Sequence, residues 1–277
     1  MNEKSKISCC KFVQTRTTGG AILLSSSNLQ CEIENSLFSE CSSALEGGAV
    51  YISQCNTSFI NNFFTSCYSL LHQNNRYGNA IFNSKSLSDL NESSFLLCGP
   101  DAQHNADSCV YMYGNKFVSI LNNGTNNYGS GGGCLVSLYN GASGTFVKFD
   151  QVYKCFDWYF IEFPYSTYTA SYCNFIDASG LKSLFWVSYG TATFENCTFI
   201  NASGKEIENV EGAYNFINCF ANENIESMIY SPFVSTYKIK INFKDCKFIN
   251  CSVLNQGIYL INLKYILYLI TSFIFIE

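Results

Sequence analysis

Charged residues are scarce in this chain of 277 residues, and their scarcity limits what it can bind. They make up 13% of the sequence, where about 25% is typical of soluble domains. The lysines and arginines form no cluster, which argues against nucleic acid as a partner. Aromatic residues reach 16%. The chain can therefore bury enough apolar surface to offset its conformational entropy, which argues against disorder.

Metal and cofactor motifs are also missing. No C-x-x-C pair occurs, and neither His72 nor His104 has zinc-ligand spacing from the cysteines. The glycine-rich run at 129–133 is followed by neither G-K-[ST] nor a helical pattern, which disfavours a phosphate-binding loop. We therefore expect no metal and no cofactor.

A short motif, Phe-x-x-Cys, recurs along most of the chain. Its copies are Phe38–Cys41, Phe64–Cys67, Phe95–Cys98, Phe194–Cys197, Phe216–Cys219, Phe243–Cys246 and Phe248–Cys251. An overlapping motif, Cys-x-Phe-Ile, adds Phe199 to this set. Such regular recurrence is the signature of a repeat architecture.

A glycine element alternates with the first motif. Gly-Gly-Ala-Ile at Gly19 and Gly20 is echoed at Gly47 and Gly48, at Gly78, and at Gly132 and Gly133, with a decayed copy at Cys109-Val110. Glycine at these positions permits positive φ or a close backbone approach at a corner. Together the two motifs indicate a unit of roughly 22–31 residues, repeated about ten times.

Within each unit the apolar residues alternate, which is the pattern of short strands. A propeller blade would need about 40 residues per unit, whereas a coil of three short strands fits the observed length. The sequence predicts an all-β chain with one right-handed parallel β-helix of about ten coils over residues 1–257. Loop insertions are expected near 72–79, 99–107 and 122–131.

Stacked coils give the 15 cysteines a structural explanation. The same position in each coil lies on its counterpart, so Phe stacks on Phe and Cys on Cys. Buried free thiols behave as small apolar groups, and we favour interior columns of them. Disulfides between neighbouring coils are the alternative.

The repeat resembles two groups of surface proteins. Gly19–Ile22 and the segment 59–62 (F-I-N-N) are similar to the motifs of chlamydial polymorphic outer-membrane proteins. The Phe-x-x-Cys copies resemble those of the large cysteine-rich β-helix surface proteins of trichomonad parasites. The resemblance covers most of residues 12–260. It implies a right-handed β-helix of the pectin-lyase-like fold and a cell-surface or adhesion role.

The two ends of the chain bear on location. Residues 1–6 lead to no apolar core of the kind a signal peptide has, so a fragment of a larger repeat array and an intracellular protein stay open. Residues 258–277 are mostly apolar, interrupted by Asn262 and Lys264. They are long enough for a membrane-anchoring helix, but a final coil or a translation artefact would also explain them.

These observations predict a non-enzymatic surface scaffold that presents loops and one coil face to a protein or glycan. The open terminal coils also favour end-to-end self-association. If the protein is secreted, exposed sequons at Asn56, Asn91 and Asn123 would carry glycans.

An enzyme that cleaves or binds polysaccharides is the alternative, because many such enzymes are β-helices. That chemistry needs paired carboxylates or a bound calcium with an arginine base. The best acidic group is Asp89, Asp101 and Asp107, near His104. A solvated loop explains Asp101, His104 and Asp107 more simply. No catalytic residue is assigned.

Overall fold

The computed structural model describes residues 3–70, 78–84, 88–99, 108–113, 117–127, 133–139, 145–148, 151–153, 156–164, 167–177, 179–188, 190–204, 212–222, 239–244 and 247–248. Within these ranges every helix or strand element is a β-strand. The strands are β1 (Glu3–Ser8), β2 (Lys11–Val13), β3 (Arg16–Thr17), β4 (Ile22–Ser25), β5 (Leu29–Glu34), β6 (Leu37–Ser39), β7 (Ser42–Ser43), β8 (Val50–Ser53), β9 (Asn56–Ile60), β10 (Phe63–Thr65), β11 (Tyr68–Ser69), β12 (Ile81–Ser84), β13 (Ser88–Asn91), β14 (Ser94–Leu96), β15 (Val110–Tyr113), β16 (Phe117–Ile120), β17 (Asn123–Thr125), β18 (Gly133–Tyr139), β19 (Thr145–Lys148), β20 (Gln151–Tyr153), β21 (Phe156–Pro164), β22 (Thr167–Ser171), β23 (Asn174–Ile176), β24 (Ser179–Ser188), β25 (Gly190–Glu195), β26 (Thr198–Ile200), β27 (Ser203–Gly204), β28 (Gly212–Ile217), β29 (Phe220–Ala221), β30 (Ile239–Lys244) and β31 (Lys247–Phe248).

The strands form four sheets whose neighbours come from successive coils. Sheet 1 has the order β1-β5-β9-β13-β16-β19-β22-β25-β28-β30, and sheet 2 the order β2-β6-β10-β14-β17-β20-β23-β26-β29-β31. Sheet 3 is β3-β7-β11, and sheet 4 is β4-β8-β12-β15-β18-β21-β24-β27. The pairing is parallel in each sheet. A chain that returns to the same sheet once per coil and pairs in parallel is a parallel β-helix, so the predicted all-β fold class is confirmed.

Aromatic rings stack along the inside of sheet 2. Phe12, Phe38, Phe64 and Phe95 follow one another with ring centroids 5.0, 4.7 and 4.8 Å apart and nearly parallel planes. Parallel strands lie about 4.8 Å apart. The ring spacing is therefore set by the backbone, and each phenylalanine covers the one in the coil before it.

In the described coils the chain turns sharply after sheet 1 and after sheet 2, at each corner through a residue in the left-handed region. The first corner follows sheet 1, with Asn35 at φ 48° and Asn61 at φ 52°, and the second follows sheet 2, with Glu40 at φ 53°. Asparagine tolerates this conformation better than most residues. The corner N–H groups bond to the next coil, as in Asn35 N to Ile60 O at 3.0 Å and Glu40 N to Thr65 O at 2.9 Å.

The Phe-x-x-Cys copies divide between these two corners. Phe38 and Phe64 lie on sheet 2, so their cysteines lie at the second corner. Phe194 and Phe216 lie on sheet 1, so their cysteines lie at the first corner. In these copies both corners have an inward aromatic, a residue with positive φ and then a small inward residue. One sequence pattern therefore stands for two positions in the coil.

The glycine element precedes sheet 4. Gly47 and Gly78 have φ values of 67° and 70°, and a Cβ on either would strike the carbonyl oxygen three residues later. The same turns contain Gly19, Gly20 and Gly48, whereas Gly132 lies outside the described residues. The fourth copy is out of register by one residue, because Val136 and not Leu135 pairs with Val110. A register shift between Gly133 and Val136 accommodates the extra residue.

One predicted insertion is partly wrong. Residues 122–131 were expected to loop out, but Asn123–Thr125 form β17 within sheet 2. Gly124 occupies the register position of Phe95 and Val152, and without a side chain it gives no strand signal. The other predicted insertions, 72–79 and 99–107, lie outside the described residues except for 78–79 and 99, and so does the apolar tail at 258–277. No helix in the part of the chain that is described could cross a membrane.

Candidate functional site

Two columns of polar side chains follow the outer face of sheet 1 across its first coils. Because neighbouring strands are in register, Lys4 is aligned with Gln30 and Asn56 in one column. The second column, two residues further along each strand, contains Lys6, Glu32, Ser58 and Asp89. The alternate positions are buried and apolar or small, with Cys31 and Thr57 between the columns and Ile33, Phe59 and Leu90 beyond the second one. Alternation along each strand thus separates a polar outside from a packed inside.

The two columns line a shallow groove of about 540 Å³. Its lining consists of Lys4, Ser5, Lys6, Gln30, Cys31, Glu32, Asn56, Thr57, Ser58 and Asp89. From β1 to β13 the groove crosses three strand spacings, or about 14 Å. The side chains stand on strands that are bonded on both sides from β5 onward, so their positions are fixed by the sheet.

An ion-pair cluster holds one rim of this groove. The Lys6 ammonium lies 2.8 Å from Glu32 Oε1 and 2.8 Å from Glu34 Oε1. Glu34 Oε1 also accepts a hydrogen bond from Ser8 Oγ at 3.0 Å. Hydrogen bonding to Glu32 and Glu34 raises the pKa of Lys6. The Lys6 ammonium is in turn the largest influence on Glu34, whose pKa it lowers.

Cys31 lies between the two columns and is buried. Its thiol Sγ is 4.0 Å from the carbonyl oxygen of Glu32. Burial, followed by the proximity of Cys55 and Glu32, raises the pKa of Cys31 to about 11. At neutral pH this thiol is protonated, so it is a poor nucleophile and a poor metal ligand.

The predicted ladder residues lie in the interior wherever their burial is described. They are Phe38, Cys41, Phe64, Cys67, Phe95, Cys98, Phe194, Cys197, Phe199, Phe216 and Cys219. Phe243 and Phe248 belong to β30 and β31, whereas Cys246 and Cys251 lie outside the described residues. Free thiols are found at eleven cysteines, of which Cys9 is exposed and Cys10 half-buried. Interior columns of free thiols therefore describe this part of the chain better than disulfides.

The cysteines take a hydrogen-bonding position that asparagine takes elsewhere. Asn62 Oδ1 accepts a bond from Ser36 N at 3.1 Å, and Asn62 Nδ2 donates to Ile33 O at 2.7 Å, one coil earlier. At the second corner Cys67 Sγ lies 3.5 Å from Phe38 O, again one coil earlier. Both side chains follow a corner residue with positive φ. Burial is the largest cause that raises the pKa of Cys67, which keeps its S–H bond.

The acidic group that the sequence offered to an enzyme is only partly described. Asp89 is exposed at one end of the groove, whereas Asp101, His104 and Asp107 lie outside the described residues. Among the residues with described positions, no three of His, Cys, Asp or Glu come together as a metal site.

The three candidate glycosylation sites lie on strands and not on turns. Asn56 begins β9 and is exposed, whereas Asn91 and Asn123, in β13 and β17, are half-buried. Asn56 also lines the groove. A glycan on Asn56 would therefore cover part of the polar face.

Sequence reasoning missed most of the groove. Lys4, Gln30 and Asn56 carry no motif, and Asn56 was singled out only as a sequon. The spacing contains a usable signal, because polar residues recur two positions apart within a strand and 26 positions apart between neighbouring coils. The side-chain hydrogen bond between Gln14 and Glu40 joins residues at this second spacing. That offset becomes informative only when the coil length is known.

Comparisons with known proteins leave the family open. No family model matches the chain, and no curated protein matches it. Among solved structures, the crystal structure of the periplasmic alginate epimerase AlgG is similar over 79% of this chain and 77% of its own, with 7% sequence identity and a TM-score of 0.28. A similarity this distant transfers no function.

Proposed function

We propose that this chain is a non-catalytic β-helical scaffold that presents the outer face of sheet 1 to a protein or glycan at a cell surface. The observation that supports the proposal is the in-register pair of polar columns, one over the first three coils and the other over the first four. Recognition surfaces built on strands hold their side chains more rigidly than loops do. The role accords with that implied by the resemblance to trichomonad and chlamydial surface proteins.

The interior supports a scaffold role as well. Stacked phenylalanines and corner hydrogen bonds link each coil to the next, so the face keeps its spacing over several coils. In such a solenoid each unit contacts mainly its neighbours. The terminal strand β1 has one unpaired edge within the described sheet. End-to-end association, with a second copy or with further coils, is part of the proposal.

Surface labelling of the epitope-tagged protein in intact and permeabilised cells tests the proposal. We expect labelling of intact cells, and its loss when residues 258–277 are removed if they form the anchor. Labelling that requires permeabilisation would contradict the surface role. A catalytic role would appear as turnover of a polysaccharide that is lost in Asp101→Asn or Asp107→Asn.

A further inference from the structure

We infer that the groove on sheet 1 binds an uncharged oligosaccharide laid along the coil axis. The inference rests on the proposed scaffold function and names the ligand class of the same face. It follows from three properties of the groove: the balance of its charges, the mixture of donors and acceptors along it, and its dimensions.

Charge balance disfavours a strongly charged ligand. The lining contains two cationic side chains, Lys4 and Lys6, and two anionic ones, Glu32 and Asp89. The formal charges of these four side chains therefore cancel. Lys6 is already held by two carboxylates at 2.8 Å and offers little to an anion. A polyanion would meet Glu32 and Asp89, and a polycation would meet the lysines. Like-charge contacts of this kind oppose binding.

The donors and acceptors suit hydroxyl groups. A sugar hydroxyl both donates and accepts a hydrogen bond, and so do the amides of Gln30 and Asn56. These amides stand on adjacent strands, about 4.8 Å apart. The facing column contributes Ser58 and the acceptor Asp89. A sugar ring between the columns therefore meets amide groups along one edge and oxygen acceptors along the other.

The size of the groove favours a chain of a few sugars over a folded protein. Its volume of about 540 Å³ lies within the range of small-ligand sites, roughly 300–1,000 Å³. Ten of the described residues line it, whereas a stable protein interface uses about 20–30 residues on each side. The columns are two residues apart, or about 7 Å, which is wide enough for one extended glycan strand. The length of about 14 Å accommodates a few units.

Calorimetric titration with defined oligosaccharides tests the inference. The probes are cellohexaose, mannohexaose, xylohexaose and maltohexaose as neutral chains, with hexagalacturonate and a glucosamine hexamer as charged ones. We expect at least one neutral probe to bind saturably and the charged ones to bind more weakly. Binding by charged probes alone, or by none, would overturn the inference.

A matched pair of variants locates the binding. Asn56→Asp keeps the shape of the side chain but removes its N–H donors, and we expect the neutral probe to bind about tenfold more weakly. Asn215→Asp makes the same change on β28 of sheet 1, beyond the groove, and should bind as the unaltered protein does. Equal affinity of both variants and the unaltered protein would overturn the groove assignment. Circular dichroism shows that each variant is folded.

Mass spectrometry of the same mixtures separates this inference from the proposed function. An intact neutral probe, bound in the groove, supports both. A probe that binds in the groove but is cleaved would contradict the non-catalytic scaffold and leave the ligand class standing. Surface labelling without any binding of a neutral probe would overturn the ligand class and leave the scaffold standing.

Discussion

The thiol of Cys67 lies 3.5 Å from the main-chain oxygen of Phe38, one coil earlier in the helix. The same relation recurs at the second corner between Cys98 and Phe64, at 3.8 Å. It also appears at the first corner, where Cys219 Sγ lies 3.3 Å from the carbonyl oxygen of Phe194. Each thiol is buried and lies beside a carbonyl oxygen of the kind that the amides of Asn62 and Asn127 bind in other coils. Cysteine thus serves as a small, weakly donating substitute for an asparagine ladder.

Exchanging one thiol for an amide tests this interpretation. In the next coil Asn127 Oδ1 accepts a bond from Cys98 N at 3.0 Å, and Asn127 Nδ2 donates to Phe95 O at 3.1 Å. Cys98→Asn can make the equivalent bonds one coil earlier, so we expect the free energy of unfolding to change by no more than about 1 kcal/mol. Urea unfolding at pH 7 measures it.

The matched variant Cys98→Asp has nearly the same shape but places a carboxylate beside the carbonyl oxygen of Phe64. A buried, unpaired charge is costly, and we expect a loss of about 3 kcal/mol or more at pH 7. The loss should shrink as acid protonates the new carboxyl group. Equal stabilities of the two variants at pH 7 would show that this position is not a ladder position.

The Phe-x-x-Cys motif predicted the coils but not which of the two corners each copy forms. Phe64 and Cys67 recur with their partners at one coil length, and that spacing indicates stacking without any knowledge of the backbone. The copy at Phe194 and Cys197 has the same letters at the other corner. Only the register shows the difference, because Phe194 pairs with Phe216 on sheet 1 while Phe64 pairs with Phe38 on sheet 2. Local sequence specifies a turn, and the pairing of distant strands decides which one.

Truncation within the phenylalanine column should depend on position. Phe64 is fully buried between Phe38 and Phe95, at centroid distances of 4.7 and 4.8 Å. We expect Phe64→Ala to reduce the free energy of unfolding by about 3–5 kcal/mol, because it opens a cavity in the middle of the stack. Phe12 is half-buried and stacks on Phe38 alone among the described rings, so Phe12→Ala should cost clearly less. Thermal and urea unfolding of both variants measure the difference, and equal losses would contradict it.

Glycine should be required at one corner and dispensable on a strand. Gly78 has a φ of 70°, and a Cβ there would strike the carbonyl oxygen of Ile81. We expect Gly78→Ala to destabilise the fold by about 2 kcal/mol or more. Gly124 is buried on β17, in register with Phe95 and Val152, so Gly124→Ala should be neutral or stabilise by up to about 1 kcal/mol. If both alanine variants lowered the unfolding midpoint by the same amount, this prediction would be wrong.

The groove was harder to predict than the core. Apolar residues at Ile33 and Phe59 reveal their inward position through alternation, since burial selects for them. Many polar residues would keep an outward strand position soluble, so Gln30 and Asn56 do not stand out by residue type. Their significance comes from lying on adjacent strands, which depends on a coil length that varies along the chain. Sequence alone therefore predicts that the face is polar and leaves the groove to the structure.

The buried thiols should make the fold sensitive to alkaline pH. Burial, with nearby Cys55 and Glu32, raises the pKa of Cys31 to about 11 from an ordinary value of 9.0, and burial raises the pKa of Cys98 as well. The unfolded chain loses these protons first. The stabilisation is therefore complete below about pH 9 and declines as the pH rises toward the folded-state values.

We expect the urea midpoint to fall between about pH 9 and 11, and to fall less steeply in Cys98→Asn, which has one buried thiol fewer. Tyrosine also titrates in this range, but both proteins contain the same tyrosines, so the difference between their slopes reports on the thiol. Identical slopes would mean that Cys98 titrates alike in the folded and unfolded chains. That result would contradict its burial as a protonated member of the column.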